Sequence, residues 1–151
     1  MILFNDIRNK LENNKLVSNS KMKTGITEKQ ILILRRSQCV QYLPSLYKDF
    51  LIELGQDTGK FLQNWYVTYS WILTAKQEII SRYFNKFKVE KEIFVFASSD
   101  RKFTNFLYFE TDEKINDPVV YIYNSAASEI SLYFDNLSSF YIHELEKLDI
   151  R

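Results

Sequence analysis

The stretch VQYLPSLYKDFLIELG, residues 40–55, decides how the chain folds, because it sets one of only two prolines between two helical patterns. A proline disfavours helical backbone in the residue before it, so Leu43 is expected to be extended. Pro44 itself suits a first helical turn, where its missing N–H has no partner to lose. Beyond it, Tyr47, Phe50, Leu51 and Leu54 recur on one face at helical spacing, while Lys48, Asp49 and Glu53 fall largely off it. Gly55 is placed to cap the far end. The stretch predicts a helix that turns a corner into a second helix.

Working upstream, ITEKQI at residues 26–31 carries the marks of a helix start. Thr27 can cap it, Gln30 can reach back, and Ile26 and Ile31 occupy the two positions of a hydrophobic staple. Ile31 and Leu34 then point inward with Leu32 beside them. Arg35 and Arg36 face solvent near the end, where positive charge suits the helix dipole. Residues 1–25 stand apart as an N-terminal helix (Ile2, Leu3, Ile7, Leu11) and a polar linker, NNKLVSNSKMKTG. Residues 1–29 hold six basic and three acidic side chains, which reads as a solvated, mildly basic arm. The main domain is then 26–151.

Downstream, FLQNWYVTYSWIL at 61–73 reads as one or two strands. TAKQEIISRYFNKF, 74–87, reads as a helix burying Ile79, Ile80, Tyr83, Phe84 and Phe87. EIFVFASS, 92–99, is apolar on both alternating faces, the pattern of a central strand. FTNFLYFET, 103–111, pairs back as a hairpin, PVVYIYN makes a third strand, and EISLYF a fourth. SSFYIHELEKL closes the chain as a helix. The expected class is α+β, one domain with a mainly antiparallel sheet packed against N-terminal and C-terminal helices.

Composition narrows the function. The chain has 151 residues, of which 16% are aromatic and only 3 are glycine, so a compact aromatic core is expected. A net charge of +1 lacks the basic excess that supplies nucleic-acid affinity, which leaves a protein partner or a small ligand. Cys39 stands alone, so no internal disulfide framework exists. MILF is too short for a signal peptide and WYVTYSWIL too short for a membrane span, which needs about 20 apolar residues. A cytoplasmic protein without membrane contact is the expectation.

Little catalytic chemistry is encoded. His143 is the only histidine and is flanked by Glu144, which reads as a surface or half-buried position rather than a metal ligand. Cys39 precedes an apolar corner and reads as a small core hydrophobe. A small enzyme using Cys39 or His143 stays open as an alternative. Three glycines cannot readily build a phosphate loop. No catalytic group, metal or cofactor is therefore assigned. ETDEKIND, 110–117, gathers Glu110, Asp112, Glu113 and Asp117 against the single base Lys114. It reads either as a solvated hairpin loop or as an acidic lip that steers a basic protein partner.

The order of these pieces resembles the SUKH superfamily of Smi/Knr-like domains. The residues that carry the resemblance are Leu43, Pro44, Tyr47, Lys48, Phe50 and Leu51 at the corner, then Phe94 and Phe96. Asp117, Pro118 and Val119 follow, and then Ser139, Phe140 and, at shifted spacing, Leu145. It covers roughly residues 26–148. The resemblance implies an α+β domain without catalysis. Its bacterial relatives commonly act as immunity proteins that bind and neutralise a cognate toxin, and others serve as intracellular interaction modules. An intracellular ligand-sensing or regulatory interaction module stays open as an alternative.

Overall fold

A computed structural model describes residues 4–148. It is an α+β fold with α1 (Phe4–Asn13), α2 (Lys21–Thr24), α3 (Glu28–Ser37), α4 (Ser45–Leu54), α5 (Tyr69–Ile72), α6 (Ala75–Tyr83) and α7 (Leu137–Glu146). Its one sheet contains β1 (Ile93–Ser98), β2 (Asn105–Glu110), β3 (Val120–Asn124) and β4 (Glu129–Phe134), all antiparallel in the order β1-β2-β3-β4. Ile2 and Leu3, expected in the first helix, lie outside the described residues.

The corner forms as its residue types require. Thr27 and Gln30 make a reciprocal capping box at the start of α3, and Ile26 and Ile31 are both buried beside it. At the other end, Cys39 N–H donates to Arg36 O at 3.2 Å and Val40 N–H to Arg35 O at 3.0 Å. That pair of bonds is a Schellman motif, in which the residue after the cap takes left-handed backbone. Cys39 takes it here, at φ +58°. Its side chain is consequently exposed, not a core hydrophobe as its sequence context suggested. Pro44 stands one residue before α4 as its N-cap, and Lys48 N–H donates to Pro44 O at 3.0 Å.

Helix α4 is the centre of the first of two cores. Leu46, Tyr47, Phe50, Leu51 and Leu54 are buried against Phe94, Phe96, Leu107 and Phe109 of the sheet and Phe140 and Tyr141 of α7. The Tyr47 ring lies 5.1 Å from Phe94 and 5.3 Å from Phe109 between centroids. Such aromatic contacts add to the area they bury. The second core lies on the opposite face, where α6 covers Ile93, Val95, Phe106, Tyr108 and Tyr123. Helices on both faces explain why β1 reads as apolar on both sides.

Several expectations need correcting. The N-terminal segment is no solvated arm: Phe4, Ile7 and Leu11 belong to the first core, and Phe4 meets Phe50 and Tyr141 edge-on at 5.3 and 5.1 Å. Arg8, 1% exposed, donates from Nη1 to Thr24 Oγ1 at 2.7 Å and to Glu53 O. Its Nη2 donates to Ser18 O at 3.0 Å. Glu53, read from the sequence as lying off the buried face, is buried and pairs with Lys21 Nζ at 2.6 Å and Arg8 Nε at 3.4 Å. Gly25 completes this clamp, because a Cβ there would stand 1.7 Å from Ile52 O.

Residues 61–73 form turns, the short helix α5 and one antiparallel bridge between Tyr66 and Ser98, instead of strands. Phe61, Leu62, Val67 and Ile72 are buried there as core. On α6, Ile79 is buried, but Ile80 is 54% exposed, as is Phe84 at its C-cap at 72%. One sheet face can cover only one stripe of the helix. Leu32 of α3 is likewise exposed.

Strand β1 is an edge strand, not a central one, yet every residue in it is buried. Its outer edge is occupied by side chains. The Gln38 amide accepts from Val95 N–H at 2.8 Å and donates to Val95 O at 2.7 Å, as a neighbouring strand would. The same amide nitrogen reaches Ile72 O at 2.9 Å. Lys76 Nζ donates to Ile93 O at 3.0 Å, and Tyr66 exchanges backbone bonds with Ser98. Edge groups left open invite pairing with other chains, and here they are closed.

Candidate functional site

The corner between α3 and α4 faces the loop that joins β2 to β3, and between them lies a polar cleft of about 570 Å3. Glu28 and Arg35 of α3, Tyr42 of the corner and Lys48 of α4 form one wall; Glu113 and Asn116 of the loop form the other. The corner is held by Gln41 N–H, which donates to Glu92 Oε1 at 2.7 Å just before β1. The loop is held by Asp112, whose Oδ1 accepts from Lys114 N–H at 2.9 Å while Ile115 N–H donates to Asp112 O at 3.0 Å.

The four carboxylates of this loop do not share one role. Asp117 is spent on the start of α7: its Oδ1 accepts from Ser138 N–H at 2.8 Å and its Oδ2 from Ser138 Oγ at 2.6 Å. Helix N-termini favour such a partner, because their free N–H groups and dipole attract negative charge. Glu110 is half-buried and pairs with Lys91 Nζ at 3.2 Å. Asp112 and Glu113 are adjacent and exposed, and Glu113 lines the cleft. The Glu113 carboxylate pushes the pKa of the Tyr42 phenol above its ordinary value, by hydrogen bonding and by charge.

Arg35 and Tyr42 belong to this surface although sequence reading gave them no such role. Arg35 is half-buried, and its Nε is a buried donor without a hydrogen-bond partner among the described residues. Nothing local signals either residue, since the facing loop lies about 70 positions further on. The cleft thus presents two cations and two anions around an exposed phenol. It suits a polar segment of a protein, with Glu113 on the loop wall.

Cys39 and His143 are not brought together. Cys39 follows Gln38, which is bonded to β1. The His143 ring lies 5.3 Å from Phe134 of β4, at the other edge of the sheet. Three strand spacings, roughly 14 Å, separate those two strands. Neither residue lines the cleft, and among the described residues no group of three or more His, Cys, Asp or Glu could hold a metal ion. Among the described residues, too, no helix is long and apolar enough to cross a membrane. No family model, curated protein or solved structure matches the chain.

Proposed function

We propose that the chain is a non-catalytic protein-binding domain, an immunity protein that neutralises a cognate toxin domain by stoichiometric binding. The observation that carries this reading is the adjacent exposed pair Asp112 and Glu113, of which Glu113 lines a polar cleft. An exposed acidic pair beside the cleft steers a complementary partner, and the mixed charges within the cleft fix its orientation. The partner expected is therefore a toxin domain with a basic face, whose acidic groups in turn meet Arg35 and Lys48. The resemblance of the corner and strand order to SUKH domains supports the same reading.

Co-expression of the chain with the protein encoded beside it tests the proposal. Protection of the host cell and co-purification of a complex in equal proportions are expected. A neighbour product that is toxic, yet neither bound nor neutralised, would sink the immunity reading.

A further inference from the structure

A second depression lies on the α6 face of the sheet, along the β1 edge, with a volume of about 520 Å3. Its floor is Ile79, Ile93 and Val95, all buried, and its walls include the exposed Ile80 and Phe84. Fully burying a side chain of this type stabilises by about 1.5–3 kcal/mol, so leaving two such groups bare on one helix points to a missing cover.

The polar groups around this groove carry one sign. Lys76 and Lys88 line it, as does Lys91, which already meets Glu110 at 3.2 Å. Lys76 is the deepest of them: half-buried, its Nζ donates to Ile93 O at 3.0 Å and Gln38 O at 3.2 Å. An ammonium has three donors, so one N–H is left for a further acceptor. Among the described residues no carboxylate lies within 4.0 Å of it. Burial pushes its pKa below the ordinary lysine value, and the more distant charge of Glu92 offsets this only in part.

We propose that this groove binds an anionic single-chain amphiphile, a fatty-acid carboxylate, with its headgroup at Lys76 and Lys88 and its chain along Ile80, Phe84 and Val89. Two observations favour this occupant over a protein helix. The cation with an unused donor is the least exposed of the three lysines that line the groove, and a slim headgroup needs less room than a helix to reach it. An α-helix is about 10 Å across with its side chains. A groove of about 520 Å3 therefore holds little more than one turn of helix, yet it lies well within the range of small-ligand sites. The groove is built on α6 and β1, apart from the cleft at the corner, so the inference stands independently of the toxin-binding reading.

Isothermal titration of the full chain with sodium laurate, kept below its micelle threshold, tests the assignment. Saturable binding at one per chain is expected, with dodecyltrimethylammonium weaker by roughly tenfold or more, because only the carboxylate completes the lysine contacts. Phe84→Asp should abolish laurate binding, and Lys88→Gln should weaken it severalfold. Lys76→Met should weaken it roughly tenfold. If the loss of its backbone bonds unfolds that variant, the exposed positions Phe84 and Lys88 decide alone. No saturable binding, equal affinity for the two headgroups, or indifference to Phe84→Asp would each overturn the proposal. So would self-association that Phe84→Asp abolishes and laurate cannot displace, since that would give the face to a second copy of the chain.

Discussion

A left-handed backbone at Cys39, φ +58°, closes α3 at the position where glycine ordinarily stands. For a residue with a Cβ that conformation costs roughly 1–2 kcal/mol, part of which glycine's greater freedom in the unfolded chain offsets. Cys39→Gly is therefore expected to raise the unfolding free energy by about 1 kcal/mol in a denaturant titration. A loss of stability would mean that the side chain makes contacts the exposed position does not show. Residue-level reading of the sequence succeeded where a signal is local, as with Thr27 and Gln30 three positions apart. It failed at Cys39 and Glu53. Glu53 is held inside by Arg8, 45 positions away, and helical periodicity carries no trace of that partner.

At the scale of elements, β1 depends on Gln38. Its amide supplies three hydrogen bonds to Val95 and Ile72 from a fully buried position. Gln38→Leu keeps much of the volume but leaves those backbone groups unpaired, at about 1–3 kcal/mol for each buried group. Urea titration should show a loss of about 3 kcal/mol or more, with aggregation as the bare edge pairs with other chains. Stability within about 0.5 kcal/mol of the parent would contradict this account of the edge. The strands themselves were legible, because apolar runs bounded by turn residues are local. Their order was not. An edge strand covered by α4 and α6 has the same pattern on both faces as a central strand, and what closes its edge comes from residues 38, 66 and 76. Which stripe of α6 and its C-cap stays bare depends on the two-core arrangement, and helical periodicity alone predicts Ile80 and Phe84 as buried.

At the scale of the whole molecule, the aromatic core makes the fold sensitive to alkali. Burial raises the pKa of Tyr47 and Tyr141 well above the ordinary phenol value. Tyr108 is pushed up to about 12, by burial first and then by Tyr121 and Glu110. Unfolded phenols titrate near pH ~10. A folded pKa raised above the unfolded one means that the stabilisation is whole below about pH 10 and is lost as pH climbs through about 12. Circular dichroism against pH should show unfolding within that window, and Tyr47→Phe should move its midpoint upward. An unchanged midpoint would contradict the role given to Tyr47.

The architecture leaves a polar cleft at the helix corner, lined by Glu113 with exposed Asp112 next to it in the chain, and the protein-binding proposal rests on that pair. The sequence made the acidic run visible, but not that Asp117 is spent on α7 or that Arg35 and Tyr42 stand opposite. The most direct measurement is the dissociation constant of the full chain with the protein encoded beside it, a toxin domain on the proposed reading, for the parent and for the variant carrying Asp112→Lys and Glu113→Lys. The account predicts a one-to-one complex that the double reversal weakens by roughly tenfold or more, mainly by slowing association, with the difference shrinking as salt rises. Equal affinity for the two proteins would contradict it.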